Sequence, residues 1–468
     1  MAELDTSETG SDTGLRPGLR QRHLSMIAIG GVIGAGLFVG SGKTVHDVGP
    51  GVLLSYALAG LVVVLVMRML GEMSAASPET GSFSAYADRA IGRWAGFSVG
   101  WLYAAFWILV LPVEAVAGAL TINRWVGWDD SKQWIWALAL MTALTVANVL
   151  SVRNYGEFEF WFASIKVVAI TLFLAVGVLA VAGLIPGLRA PGTSNLLGHG
   201  GLFPHGPLAV LGAVPVVAFS FIGAEIATIA AGESQDPANA VRKAVNSVVW
   251  RVLVFYVGSL AIVVTLLPWD DASVKESPYV AVMKLYDAGS AATIMDVIVL
   301  TAVLSCLNSS LYTASRMLFS LSERGDAPKF LSRLNGAGSP RNAVLAATVV
   351  GFAAVACSYK WKDGVFSFLI ESTGGIALLI WLVIAVSQLR MRKTFERDGV
   401  LLPVRMWGYP HLTVAAIAGI VVLYLGFGLE RATRPKFLLT TAIAVVVVAW
   451  GLARDACARR RAAQTTAG

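Results

Sequence analysis

Twelve stretches of the chain run for close to twenty residues with almost no charge: 25–42, 51–70, 95–122, 134–151, 157–184, 208–232, 244–267, 291–320, 342–359, 364–388, 410–429 and 436–453. A helix needs about 20 apolar residues to cross the hydrocarbon of a bilayer. Inside that hydrocarbon only helices and closed barrels satisfy their own backbone. The chain is therefore expected to be an all-α membrane protein of about twelve transmembrane helices. Charged residues make up 14% of the 468, against roughly 25% in a soluble domain, too few to cover a water-facing surface. The connecting segments are short, the longest near 185–207, and leave no room for a separate soluble domain.

The charges that remain are ordered. With the N-terminus set in the cytoplasm, Lys and Arg on that side outnumber those on the other by more than two to one. This positive-inside pattern predicts both termini in the cytoplasm of a bacterial inner membrane. The formal charge of +7 is then topogenic, and no nucleic-acid partner is expected. Residues 1–21 lack the apolar core of a signal peptide and read as a cytoplasmic tail, as do 454–468.

Two of the runs are interrupted. Gly30, Gly31, Gly34 and Gly36 fall within seven residues of the first, each costing close to 1 kcal/mol in a helix relative to Ala. One reading is a close helix–helix contact through small residues. The other is a broken helix whose freed amides at Gly34, Ala35 and Gly36 take a carboxylate. The sixth run repeats the feature: Pro215 precedes Phe219-Ser220-Phe221-Ile222-Gly223-Ala224-Glu225. Paired interruptions at corresponding places in two five-span halves point to an inverted-repeat transporter with its site at the midplane, where half-helix N-termini face an anion. The expected layout is one domain over 22–453, with repeats at 22–184 and 208–388 and two extra helices in 410–453. Gly40-Ser41-Gly42-Lys43-Thr44 resembles the end of a P-loop, but Leu37 stands where its leading Gly is required and no strand precedes it. Nucleotide binding is not expected.

A charge at the bilayer centre costs about 2.5–3.5 kcal/mol and usually marks function. Four stand out: Glu114 after Pro112 in the third run, Lys166 in the fifth, and Glu225 and Glu233 in the sixth. Glu225 sits at the interruption and is expected to bind or gate. Glu233, two turns on and on the same face, is read either as a gating or structural group or as the end of the span. Lys166 follows Glu157 by nine residues, about 13 Å of helix, too deep to snorkel and suited to exchanging a proton. The histidines (His23, His46, His199, His205, His411) share no ligand spacing, and Cys306, Cys357 and Cys457 suggest neither a disulfide nor a metal. No metal, cofactor or enzyme-like cluster of nucleophile and base is expected.

The segments Gly30-Gly-Val-Ile-Gly-Ala-Gly-Leu-Phe38, Ser77-Pro-Glu-Thr-Gly-Ser-Phe83, Asn154-Tyr-Gly-Glu-Phe-Glu-Phe160 and Ala231-Gly-Glu-Ser234 together resemble the bacterial amino acid permeases of the amino acid–polyamine–organocation superfamily. The resemblance runs from about residue 18 to the last span. Within that family, Leu111-Pro-Val-Glu-Ala115, the stretch 220–231, the stretch Ser305–Met317 and Ile384-Ala-Val-Ser-Gln-Leu-Arg-Met-Arg392 are most similar to permeases for 4-aminobutyrate (GABA). The resemblance implies secondary import of GABA by proton symport through alternating access. It sets Lys166 where sodium-coupled relatives of the fold hold an ion; when protonated, Lys166 would hold the first span against the region around Ser309 and Ser310. The substrate-binding set becomes Gly34, Ala35, Gly36, Glu114, Phe219, Phe221, Gly223 and Glu225. With the substrate carboxylate on the Gly34–Gly36 amides, its ammonium, three carbons away, reaches Glu114 or Glu225, a choice that stays open here. A permease for β-alanine or proline working the same way is the alternative. Partners are then the amino acid, protons and the bilayer; oligomeric state is not legible.

Overall fold

The computed structural model describes residues 33–77, 82–150, 155–188, 190–226, 237–286, 290–335, 338–361 and 364–466. Among them, ten helical stretches are long and apolar enough to cross a bilayer. The first, Gly36–Ala76, holds two spans. It folds back at the Gly49-Pro50-Gly51 turn, where Gly49 has φ +77°. Span 1 thus ends in Gly36–Gly40 and Ser41–Val48, and span 2 is Val52–Ala76. Span 7 comes in three pieces, Pro237–Trp250, a π-helical Arg251–Gly258 and Ser259–Leu266. The others are Arg93–Val126 (span 3), Gln133–Leu150 (4), Tyr155–Val181 (5), Pro207–Ile226 (6), Ser290–Glu323 (8), Arg341–Ser358 (9), Gly364–Arg397 (10), His411–Leu429 (11) and Arg434–Thr466 (12). The all-α, twelve-span architecture expected from the sequence is present.

Spans 6, 10 and 3 are buried over 83%, 78% and 72% of their most apolar stretch, but span 12 over only 11% and span 4 over 22%. The first three form the centre and the last two a lipid-facing rim. Rim apolar side chains such as Trp161, Val168 and Leu172 on span 5, and Val445 and Val446 on span 12, are exposed accordingly. Span 3 packs on spans 8 and 10, and span 6 on spans 10 and 2. Lipid supplies no hydrophobic drive between helices, so close approach through small residues matters. Gly374 of span 10 lies so near the Pro215 carbonyl of span 6 that any Cβ would overlap it.

A buried carboxylate closes one end of the bundle. Glu72 of span 2 accepts hydrogen bonds from Gln388 Nε2 at 2.7 Å and the Met406 amide at 2.6 Å, and pairs with the Arg392 guanidinium. Thr413 of span 11 donates to Gln388 Oε1 at 3.0 Å. Spans 2, 10 and 11 and the connection between the last two are thereby tied through one group. Arg251, a cation near the start of the seventh apolar run, is only 4% exposed, because helix runs unbroken from the polar stretch before it into span 7. Breaking a buried pair by removing one partner costs about 3 kcal/mol or more. Glu72→Ala is therefore expected to lower the melting temperature of the purified protein clearly. Arg397→Ala, in an exposed pair with Asp398, should change stability by less than about 1 kcal/mol. Equal losses in the two variants would refute the anchoring role.

Candidate functional site

The first break is visible where the described chain begins. Ile33 and Gly34 are not helical, and the amides of Leu37 and Phe38 both bond to the Gly34 carbonyl at 3.2 Å. The helix that follows opens with a π turn over Gly36–Gly40. The Ala35 amide therefore has no preceding carbonyl in its own helix. It donates instead to Glu114, at 3.2 Å to Oε1 and 3.1 Å to Oε2. Glu114 reaches this point from span 3, two residues after Pro112, and the Cys306 thiol of span 8 hydrogen-bonds to the same carboxylate. A Cβ on Gly34 would stand 2.8 Å from Glu114 Oε1 and from Cys306 Cβ, so glycine is what lets the three meet. Gly30 and Gly31 lie outside the described residues.

The second break mirrors the first. The helix Val214–Phe221 ends at Ile222, extended at φ −65° and ψ 146°. Gly223 follows at φ +102°, a conformation that favours glycine. Its amide donates to both oxygens of Glu225, at 3.1 and 3.0 Å, and Tyr103 Oη donates to Oε1 at 3.0 Å. On the other side of the break, Tyr256 Oη donates to the Ser220 carbonyl at 2.8 Å. The breaks touch: a Cβ on Gly36 would lie 2.6 Å from Ser220 Oγ and 2.9 Å from Phe219 Cδ1. Phe219 faces Phe106 at 6.1 Å, whereas Phe221 packs against Tyr256 at 4.7 Å and Tyr56 at 6.0 Å, forming the wall behind the break. Glu233 lies outside the described residues.

Lys166 is fully buried but not unpaired. Its Nζ donates to Ser305 Oγ at 2.9 Å, and Ser305 Oγ donates to Glu159 at 2.7 and 2.8 Å. Lys166 and Glu159 are themselves 3.8 Å apart, both at 0% exposure. The hydroxyl that Lys166 bonds here is neither Ser309 nor Ser310. The partners of Lys166 are Ser305, one turn earlier on span 8, and Glu159, seven residues earlier on its own helix and so on the same face. Ser310 Oγ is turned to the Cys306 carbonyl at 2.6 Å. Lys166 lies within electrostatic reach of both Glu114 and Cys306, so the two buried clusters adjoin.

A cavity of about 350 Å³ leads from one end of the bundle down to Val216, one turn from Ser220. Lys43, His46, Asp47, His205, Glu371, Glu430 and Lys436 stand around it. Lys43 of span 1 and Lys436 of span 12 both pair with Glu371 of span 10, at 3.3 and 3.0 Å. Burial, with Asp47 and Glu371 nearby, holds the Glu430 carboxyl above the usual carboxylate range. Among the described residues, no group of three or more His, Cys, Asp and Glu is placed to hold a metal ion.

Comparison with known proteins now bears on this geometry. Residues 23–466 match the amino acid permease family. The chain belongs to that family. The permease is 52% identical over 439 residues to the gamma-aminobutyric acid permease of Bacillus subtilis, covering 94% of this chain and 93% of the other. It is 51% identical over 440 residues to a probable GABA permease of Pseudomonas aeruginosa (94% and 92%), and 48% identical over 432 residues to the gamma-aminobutyric acid permease of Escherichia coli (92% of each). The crystal structure of the Eremococcus coleocola manganese transporter shares its fold, with a TM-score of 0.56 over 92% of each chain at 12% identity. The permease is a multi-pass membrane protein whose relatives are transporters. Gly36→Val or Gly223→Val is expected to reduce amino acid uptake by about 100-fold or more, the scale of loss when a site is displaced by about 1 Å, with membrane abundance retained. Uptake at the unaltered rate in either variant would show that the breaks are not the site.

Proposed function

We propose that the permease imports 4-aminobutyrate with protons by alternating access across a bacterial inner membrane, both termini cytoplasmic. The observation that carries this reading is the contact between the Ala35 amide and Glu114. A group that binds carboxylates and a group that binds ammonium are held side by side at a helix break, as a small zwitterion requires. The names of the relatives, 48–52% identical over more than nine-tenths of the chain, favour GABA among zwitterions. The two repeats at 22–184 and 208–388, with 410–453 appended, belong to the same reading, as does the absence of catalysis.

In this mechanism Lys166, Ser305 and Glu159 form the coupling group. A lysine beside a glutamate in a dry bundle is neutral as a whole, whether as an ion pair or as amine and acid; one further proton leaves a net positive charge. That charge lies within reach of Glu114 and draws it off the Ala35 amide, which then takes the substrate carboxylate. Glu114 or Glu225 receives the ammonium three carbons away. Ser309, one turn beyond Ser305, lies on the face of span 8 that follows this change. Loss of the proton towards the cytoplasm returns Glu114 to the amide and expels the substrate.

Vesicles containing the permease are expected to accumulate labelled GABA when the outside is acidified, and a sodium gradient at constant pH should drive nothing. Strict sodium dependence would sink the coupling scheme; preferential accumulation of proline or β-alanine would sink the substrate assignment alone. Lys166→Ala should abolish the pH dependence of both uptake and equilibrium GABA binding, which stays weak at every pH. Glu114→Gln should keep the pH profile of residual uptake while binding weakens by about tenfold or more, the scale of a hydrogen bond to a charged group. If Lys166→Ala retains the unaltered pH profile, the proton is carried elsewhere.

A further inference from the structure

Arg251 begins the π-helical turn of span 7 and is 4% exposed. Among the described residues, neither Nη1 nor Nη2 has a hydrogen-bond partner. A guanidinium does not shed its charge in a protein, and a buried charge without a counter-ion is strongly unfavourable. A chain that keeps such a group gains from it only if an anion meets it in another state of the cycle.

Among the described residues, two groups lie within electrostatic reach of Arg251: Tyr256 and Glu225. The Tyr256 hydroxyl is committed to the Ser220 carbonyl at 2.8 Å. The Glu225 carboxylate is committed to the Gly223 amide and to Tyr103 Oη, all within 3.1 Å. Among the described residues, Arg251 is thus unpaired because the carboxylate within its reach, Glu225, is held on the break of span 6. The same hold blocks the Gly223 amide from any incoming carboxylate.

We propose that Glu225 has two seats and that Arg251 is the second: the substrate carboxylate, held by the Ala35 amide through one oxygen, reaches the Gly223 amide across the touching breaks through the other and displaces Glu225, which then pairs with the Arg251 guanidinium and leaves Glu114 for the ammonium. Arg251 touches no substrate; it positions Glu225 and joins spans 6 and 7 in the loaded state only. A contact made in one state and not the other is what allows binding to shift a conformational equilibrium. The inference rests on the transport reading above.

The test uses the full-length permease with Arg251→Met, Arg251→Lys, Glu225→Gln and the double variant Glu225→Gln/Arg251→Met. Melting of the empty protein in detergent and GABA uptake by proteoliposomes are measured for each. Arg251→Met should raise the melting temperature of the empty protein by roughly 2 °C, because it removes an uncompensated buried charge. The same variant should cut the maximal uptake rate by about tenfold or more, with KM changed by less than about twofold. Arg251→Lys should restore part of the rate, and the double variant should lose no more than Arg251→Met alone. A lowered melting temperature for Arg251→Met, an unchanged maximal rate, or multiplying losses in the double variant would each overturn the proposal. The melting measurement needs no substrate. If the unaltered protein accumulates neither GABA nor any α-, β- or γ-amino acid supplied, the transport reading fails by itself, and a lowered melting temperature still decides against Arg251 independently.

Discussion

Backbone amides and carbonyls have no water to turn to inside a bilayer, so a broken helix persists there only if something answers the groups it frees. This constraint organises the permease. At Ala35 the answer is Glu114, and at Gly223 it is Glu225 with Tyr103. Each carboxylate would be costly at that depth alone, and each freed amide would be costly without it. Together they offset one another, so each freed amide is already answered within the protein. In the proposed reading a ligand therefore enters by exchange, not by filling a hole. A lone carboxylate that displaced Glu114 would leave that glutamate stranded, and a lone amine would find both acids engaged. A zwitterion supplies the carboxylate for the amide and the ammonium for the displaced acid, so no charge is left over.

The parts of this arrangement legible in the sequence are those with a local cost. Four glycines in seven residues, a proline before a glycine, and a glutamate in an apolar run each violate a rule that an ordinary membrane helix obeys, and these violations mark Gly34, Gly36, Glu114, Gly223 and Glu225. What stayed hidden are partners set by packing between distant spans. Nothing local says that Ser305 stands between Lys166 and Glu159, although the seven-residue spacing of the latter two was available as a helical-face signal. Cys306, a cysteine with no disulfide or metal spacing, carries no local signal because its partner is the carboxylate of another span. Arg251 and Glu72 sit near the ends of apolar runs, where hydropathy cannot separate a charge that has reached water from one held inside. Tyr103 and Tyr256 look like any aromatic in a membrane helix until the carboxylate or carbonyl they meet is known.

The cluster around Glu114 and the one around Lys166, the proposed substrate and coupling groups, are joined most directly through span 8. Ser305 lies between Lys166 and Glu159, and the next residue, Cys306, meets Glu114 and abuts Gly34. Successive helical residues point about 100° apart, so one helix presents one side chain to span 5 and its neighbour to spans 1 and 3. A small rotation of span 8, or of span 5 against it, cannot loosen one contact without moving the other. The link needs no long chain of intermediates: two consecutive residues on one rigid helix suffice. The contacts at the cavity have the opposite character. Lys43 and Lys436 meet a single Glu371 from spans 1 and 12, so at that end three helices are joined through one carboxylate. In the proposed cycle, coupling rests on a rigid element and closure on converging ones, so the two steps fall to parts of the fold that can move separately.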